Sequence, residues 1–312
     1  MRVTELVKPA RPETRPQLVP RRFPGTRPWR ATLDPAAPVL GEIGNLETRL
    51  ARTRAEIRAA QELRYRVFYQ EMSARPDTLS RILRRDKDSH DRISDHLLVI
   101  DRDAGRSGLI VGTYRFVTAA NANAAQMPFY SQSEFDVEAL MARHHGLNFM
   151  ELGRSCVLPQ WRSKRSIELL WAGTWAQVLR HGIDVMIGCA SFEGTDPDRL
   201  AEPLSFLHHH VAARDEWRVA AARGRGISTA LLPPDSIDTR RAMHALPALI
   251  KGYLRLGAMF SNEAVVDHAF GTTDVLVILP VANISPRYIR HYGTDASRHA
   301  PQRQEAGAHI AL

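Results

Sequence analysis

Apolar positions at Ile167, Leu170, Trp171, Thr174, Trp175 and Val178 recur at i, i+3 and i+4 spacing. This predicts an amphipathic helix beginning near Ser166 and running to Arg180, stopped by His181-Gly182. The near-continuous apolar run Phe149 to Leu158 before it reads as a strand, and Ile183 to Cys189 after it as a short buried one. A second helix is expected from Asp196-Pro197 to about Val211, with aspartate at the cap and proline in the first turn. Strand, helix, strand, helix in this order is a right-handed parallel unit. Upstream, Leu97 to Asp101 and Leu109 to Val117 flank Asp103-Ala104-Gly105-Arg106-Ser107-Gly108, which is hairpin chemistry. Helical spacing of Leu46, Leu50, Ile57, Leu63 and Val67 predicts a helix over 46–72. Residues 73–95 read as a polar connection, and 119–147 as irregular apart from a short helix over Val137 to His144. The last third holds a helix over His244 to Leu256 and the strands Ala264 to Ala269 and Asp274 to Leu279. The expected class is α/β, with a mixed sheet.

Composition narrows the picture. At 312 residues with 44% apolar content, the chain can form one large domain or two small ones. Its longest apolar run, Val275 to Ala282 with Pro280 inside it, falls far short of the ~20 residues of a membrane-spanning helix. The first residues carry no secretory apolar core. Two cysteines, Cys156 and Cys189, exclude a disulfide scaffold and suit a reducing, cytoplasmic compartment. Most of the net charge of +8 lies in residues 1–30, where eight cations face only Glu5 and Glu13. Prolines 9, 12, 16, 20, 24 and 28 forbid helix there, so residues 1–44 are expected to be a disordered basic leader. The expected domain spans 45–290, with a C-terminal extension from about 225 and a tail over 291–312. A basic leader suits peripheral contact with an anionic inner membrane surface; nucleic acid is not the expected partner.

Candidate chemistry lies on and beside the strands, at Asp88, Asp91, Arg115, Glu151 and Arg154. Arg115 sits inside the apolar run Val111 to Val117, where a cation is costly unless paired. Glu151 and Arg154, three apart, face opposite sides of a regular strand; a bulge near Gly153 would bring them to one face. The residues alone fit two readings. One is a buried ion-pair network that holds the sheet, the other a site that binds a charged amino acid and deprotonates its amine. After the strand, Arg162, Lys164 and Arg165 flank the helix start, which is either a solvated turn or a phosphate site.

The ordered motifs resemble those of a known group. Arg64-Tyr65-Arg66-Val67-Phe68, Asp88-Ser89-His90-Asp91, His96-Leu97-Leu98-Val99, Val111-Gly112-Thr113-Tyr114-Arg115 and Glu151-Leu152-Gly153-Arg154-Ser155-Cys156-Val157 resemble the acyl-carrier-protein-dependent acyltransferases of GNAT type. That branch includes the acyl-homoserine-lactone synthases and the L-ornithine N-alpha-acyltransferases of bacterial ornithine-lipid synthesis. Gly188 to Phe192 and Leu246 to Ala258 resemble the ornithine enzymes in particular. The resemblance covers about residues 45 to 290. It implies a sheet whose central parallel strands, near 150–158 and 183–190, splay apart around a pantetheine arm. Where the usual acetyl-CoA pattern has glycines after Gln160, this chain has Ser163 and Arg165. That suits an acidic acyl carrier protein, whose own 4'-phosphopantetheine makes a separate cofactor unnecessary.

The resemblance also implies roles. Glu151 would be the general base, directly or through water, with Arg154 beside it. Arg115 or Arg154 would hold the acceptor carboxylate, and Asp88 and Asp91 the side-chain ammonium of ornithine or the loop that covers it. Val157, Arg162, Ser163, Lys164, Arg165 and Ser166 would meet the pantetheine and its carrier, while Trp171, Cys189 and Ser191 line the acyl site. The product would be a lyso-ornithine lipid carrying a 3-hydroxy fatty acyl group. Alternatives are another acceptor, as in homoserine-lactone synthesis, or a non-catalytic carrier- or membrane-binding module. No metal is expected: His208-His209-His210 are consecutive on a helix end and point apart. The cysteines lack a neighbouring base, and no Gly-x-Ser-x-Gly elbow is present.

Overall fold

A computed structural model describes residues 33–72, 74–105 and 108–288. Nine strands form one sheet in the order β1-β2-β3-β4-β5-β6-β9-β8-β7. They are β1 (Val39–Ile43), β2 (Leu46–Leu50), β3 (Asp95–Asp101), β4 (Leu109–Thr118), β5 (Phe149–Val157), β6 (Val185–Glu193), β7 (Gly226–Ser228), β8 (Met259–Asp267) and β9 (Thr272–Pro280). All neighbours pair antiparallel except β5 and β6. The helices are α1 (Arg54–Tyr65), α2 (Thr78–Leu83), α3 (Ala119–Ala124), α4 (Val137–Arg143), α5 (Lys164–His181), α6 (Ala201–Val211), α7 (Thr239–Ala245) and α8 (Ala248–Leu256). Helix α5 covers one face of β1 to β4, and α1 packs against β3 and β4. The larger core joins Leu97, Val99 and Phe116 of the sheet to Leu169 and Val178 of α5. The opposite face buries Ala59 and Leu63 of α1 against Leu98 and Ile110. Each such side chain contributes roughly 1.5–3 kcal/mol on full burial.

The strand-helix-strand unit and both hairpins form as expected, and several expectations need correction. Order starts before Ile43: β1 and β2 form a hairpin through Gly44, whose φ is 64°. The expected helix over 46–72 is therefore a strand followed by α1 and a π-helical turn over Arg66–Glu71. Leu46 and Leu50 share both a helix face and a strand face, so their spacing misled. Thr53 with Glu56 is the capping box that marks the true helix start. Glu56 also accepts from buried Arg49 at 2.6 Å, tying that cap to β2. The connection over 73–95 contains α2, and 119–147 contains α3. Pro247 divides the expected helix over 244–256 into α7 and α8, because the residue before proline avoids helical geometry. The leader over 1–32 and the tail over 291–312 lie outside the described residues. Among the described residues, no helix is long and apolar enough to cross a membrane.

The sheet forks at its centre. Strands β5 and β6 pair at Phe149 with Val185, Met150 with Met186 and Glu151 with Ile187, then part. Beyond that point β5 stays on β4, and β6 stays on β9 along its full length. Gly188 sits in the crotch, where an added Cβ would lie 2.3 Å from the Leu152 carbonyl oxygen. No other residue fits there without shifting the backbone.

Candidate active site

A bulge interrupts β5 next to Gly153, the one feature that would bring Glu151 and Arg154 to the same side. Thr113 faces Cys156 and Arg115 faces Gly153, so Arg154 and Ser155 together oppose Tyr114. Arg154 takes φ 54°, a left-handed conformation uncommon for a residue with a side chain. The bulge turns Arg154 toward the side occupied by Tyr130, where its guanidinium lies 4.7 Å from the Tyr130 ring centre and 5.0 Å from that of Phe270. Tyr130 in turn bonds through its backbone N–H to Glu151, so Glu151 and Arg154 do share one side.

Arg115, Asp88, Asp91 and Arg154 converge in one network, joined by Arg64 and Asp86. Arg64 is 0% exposed, and its Nε lies 2.7 Å from Asp86 Oδ2. Its two Nη atoms each donate to Asp91 at 2.9 Å. Arg115 Nη1 donates to Asp88 at 2.5 Å and to Asp91 at 3.0 Å. Arg154 completes the set, with Nε 3.1 Å from Asp86 and Nη2 3.2 Å from Asp88. Asp91 also accepts from Gln61 Nε2 at 2.9 Å, while Asp88 caps the 3-10 turn over Ser89–Arg92 by accepting from the His90 and Asp91 N–H groups. Burial alone would raise its pKa, but Arg64 and then Arg115 outweigh that and hold it well below the usual carboxylate range. The Asp88 carboxyl is lowered in the same way, with burial opposed by Arg115 and Arg154. Arg64 and Asp91 thus lie at the closed end, while Asp88 and Arg154 are its more open members.

Glu151 is 4% exposed and organises the segment opposite. Oε2 accepts from the Tyr130 N–H at 2.8 Å; Oε1 accepts from the Ser131 N–H at 2.7 Å and the Ser131 hydroxyl at 2.5 Å. A carboxylate has about four acceptor positions, so one on Oε2 stays open.

At the start of α5, Ser163 caps the helix by accepting from the Ser166 N–H, while the Ser166 hydroxyl donates to the Trp161 carbonyl. Arg162 is bidentate to Glu71 and donates from Nε to the Val157 carbonyl at 3.0 Å, which holds the turn closed. Lys164 is 89% exposed and Arg165 exposed, so these two cations face outward.

The three residues expected to line the acyl site do not meet. Trp171 borders a small apolar pocket with Thr174, Trp175, Met186, Leu256, Ile284 and Tyr288 on the α5 side. Cys189 belongs to the opposite core with Ile187 and Leu276, because strand residues alternate faces. The Ser191 hydroxyl bonds to Asp274, which faces it across β6 and β9. There the structure gathers a group that the strand pattern had not singled out: Glu134, Asp267 and Asp274, with carboxylate oxygens within 4.8 Å of one another. Burial pushes Glu134 up to about 7, helped by Asp274 and opposed by a bond to Cys189. Asp274 is likewise pushed up to about 6 by burial, opposed by the neighbouring Ser191 and Thr272 hydroxyls. Extending the last strand back to Thr272 places Asp274 within it, where the cost argument applied to Arg115 would have flagged it.

The thiols of Cys156 and Cys189 are held protonated by burial. His208 bonds to Thr229, His209 to the Leu232 carbonyl, and His210 lies against Phe206, so the three rings engage different partners.

A mixed sheet opening between two parallel strands, with a capped helix leaving the fork and a charged cleft beside it, defines the GNAT class of acyltransferases. Residues 63–172 match the acetyltransferase (GNAT) domain model. The chain is 54% identical over 271 residues to the L-ornithine N(alpha)-acyltransferase of Rhizobium meliloti (strain 1021), covering 86% of this chain and 91% of that one. It is 52% identical to the protein of the same name from Brucella abortus (strain 2308), over 83% of this chain and 93% of that one. The Rhodobacter capsulatus protein of that name is 38% identical, over 79% and 94%. The chain belongs to the L-ornithine N(alpha)-acyltransferase family.

Proposed function

We propose that this enzyme transfers a 3-hydroxy fatty acyl group from acyl carrier protein to the α-amine of L-ornithine, forming lyso-ornithine lipid. The observation that carries the reading is the fork: past Glu151 and Ile187 the facing edges of β5 and β6 make no ladder with each other. A pantetheine arm fits such a gap, presenting its thioester to backbone N–H groups near Val157 that stabilise the oxyanion. The acceptor lies on the side of Glu151 and Arg154. The open position on Glu151 Oε2 takes the proton from the α-ammonium, directly or through water, and the neutral amine attacks the thioester carbonyl. The tetrahedral intermediate then collapses with loss of the carrier thiol. Arg154, held between two aromatic rings, meets the acceptor carboxylate, and Asp88 borders it. Arg64, Arg115 and Asp91 serve this contact by fixing Arg154 and Asp88 in place.

Lys164 and Arg165 form the outward part of the carrier-docking patch, and Arg162 shapes the turn that presents them. Complementary charge of this kind acts mainly on encounter. The acyl chain runs toward the Trp171 pocket, on the side away from Cys189. A basic leader and a lipid product suit a cytoplasmic enzyme that works against the inner membrane surface.

The test is turnover by the purified chain with 3-hydroxyacyl carrier protein, read by mass spectrometry. The expected product is Nα-acyl-ornithine, with Glu151→Gln slower by ~10²–10⁴ in a folded protein. A lactone formed from S-adenosylmethionine would overturn the acceptor. Equal use of acyl-CoA, or an unchanged KM for the carrier in Lys164→Glu with Arg165→Glu, would overturn the docking assignment.

A further inference from the structure

Two carboxyl groups of the second acidic group are buried with hydrogen-bonding capacity unused. Glu134 is 2% exposed and Asp274 is 5% exposed. Among the described residues, Glu134 Oε2 and Asp274 Oδ1 have no hydrogen-bond partner. Their other contacts are neutral: the Cys189 thiol at Glu134, and the hydroxyls of Ser191 and Thr272 at Asp274. The cations that act on them are engaged elsewhere. Arg225 reaches out to the Ser133 carbonyl at 2.7 Å, and Arg154 is shared between Asp86 and Asp88. Asp267 stands at the less buried side and caps the β8–β9 turn, accepting from the Ala269 N–H at 2.7 Å. A buried carboxyl without a cation is driven toward its neutral form, and a cation placed between two of them restores their charge and fills their open acceptor positions.

We propose that Glu134, Asp267 and Asp274 form the subsite for the side-chain ammonium of the amino-acid acceptor, and so select a diamino acid over its apolar counterparts. The inference rests on the acceptor reading given above and names the part of the site that recognises the far end of the substrate. An alkylammonium carries three N–H donors and no acceptor, which matches a set of carboxylate oxygens converging within 4.8 Å. The acidic group lies beside the fork. Cys189, bonded to Glu134, is two residues past the last β5–β6 pair at Ile187. Arg154, proposed for the acceptor carboxylate, is close enough to act electrostatically on Asp274. The three methylenes of ornithine span roughly 5 Å between its two amine-bearing ends. With carboxylate at Arg154 and δ-ammonium among the acids, the α-amine lies between them on the side of Glu151. A hard divalent ion is a poorer match, since it takes six or more oxygens.

The test compares kcat/KM for L-ornithine and for L-norvaline, which has the same carbon chain without the δ-amine, in wild type, Glu134→Gln and Asp274→Asn. Wild type is expected to prefer ornithine by roughly 10²-fold or more, because norvaline leaves buried acids unpaired. Each variant should reduce that preference at least about tenfold, through a higher KM for ornithine, while the norvaline rate stays within a few-fold. Equal wild-type use of the two amino acids, or variants that slow both equally while folded, would overturn the subsite. Activity abolished by a chelator and restored by Mg²⁺ or Ca²⁺ would overturn it in favour of a metal. Failure of wild type to acylate either amino acid would instead overturn the acceptor reading and remove this occupant with it.

Discussion

Two buried charge clusters flank the cleft, and they are built on opposite principles. Arg64, Arg115 and Arg154 interleave with Asp86, Asp88 and Asp91, so the charges balance. Glu134, Asp267 and Asp274 gather acids with hydroxyl and thiol neighbours and leave carboxylate oxygens unpaired. In the first cluster every acid meets an arginine, which fixes the geometry of β4, β5 and the loop carrying Asp86 to Asp91 and holds Arg154 in place at its open end. The second is incomplete, and that is where a charged ligand gains most. Burial of a charge therefore does not by itself mark a binding group; the state of its partners does.

The clusters also tilt stability with pH in opposite directions. Lowered carboxyls such as Asp88 and Asp91 contribute stability above the ordinary aspartate range, and it is lost as pH falls through their folded values. Raised carboxyls do the reverse. With Glu134 near 7 and Asp274 near 6, their contribution is full below their unfolded values and is lost as pH climbs to about 7.

The largest expected effect comes from breaking the complete cluster. Arg64→Met leaves Asp86 and Asp91 buried without their closest cation, and should cost about 3–5 kcal/mol in urea denaturation at pH 7. A loss under about 1 kcal/mol would mean that the network does not hold the fold. Next, Glu134→Gln with Asp274→Asn should stabilise the ligand-free protein at pH 8, on the order of 1–3 kcal/mol, and flatten its decline between about pH 4.5 and 7. Melting curves over that range decide it, and an unchanged slope would contradict the unpaired state of these acids. The smallest effect is ligand protection. Ornithine at tenfold its Kd should stabilise wild type by about 1.4 kcal/mol, a shift of a few degrees in Tm, and should protect Glu134→Gln far less at the same concentration. Norvaline at that concentration should leave the wild-type Tm nearly unchanged.

Much of the frame was legible along the chain because it rests on local periodicity. The strand at 149–157, the helix after it and a strand over Ile183 to Cys189, which the structure extends to Glu193, followed from apolar spacing; the bulge was a condition for Glu151 and Arg154 to meet, and it is present. Arg115 was conspicuous because a cation stood in an apolar strand. The β1–β2 hairpin was missed because two leucines four apart satisfy both periods. Thr53-x-x-Glu56, the local mark that separates them, carries its meaning through capping rather than through hydrophobicity.

By itself, the sequence determined the α/β class, the strand-helix-strand unit at the centre of the sheet and the ordered motifs shared with the family, whose resemblance implied the fork. These depend on residues near one another in the chain or on fixed spacing. Tertiary structure alone decided which charges are satisfied. Glu134 and Asp274 are 140 residues apart; nothing local distinguishes Glu134 from an exposed acid, and the strand around Asp274 marks its burial but not its neighbours. Whether a carboxylate meets arginines, as Asp91 does, or only a thiol and hydroxyls, as these do, is set by which strands and loops the fold packs together. Charge satisfaction is a property of the three-dimensional neighbourhood, and in this protein it separates a balanced network of arginines and aspartates from a group of acids with unpaired oxygens.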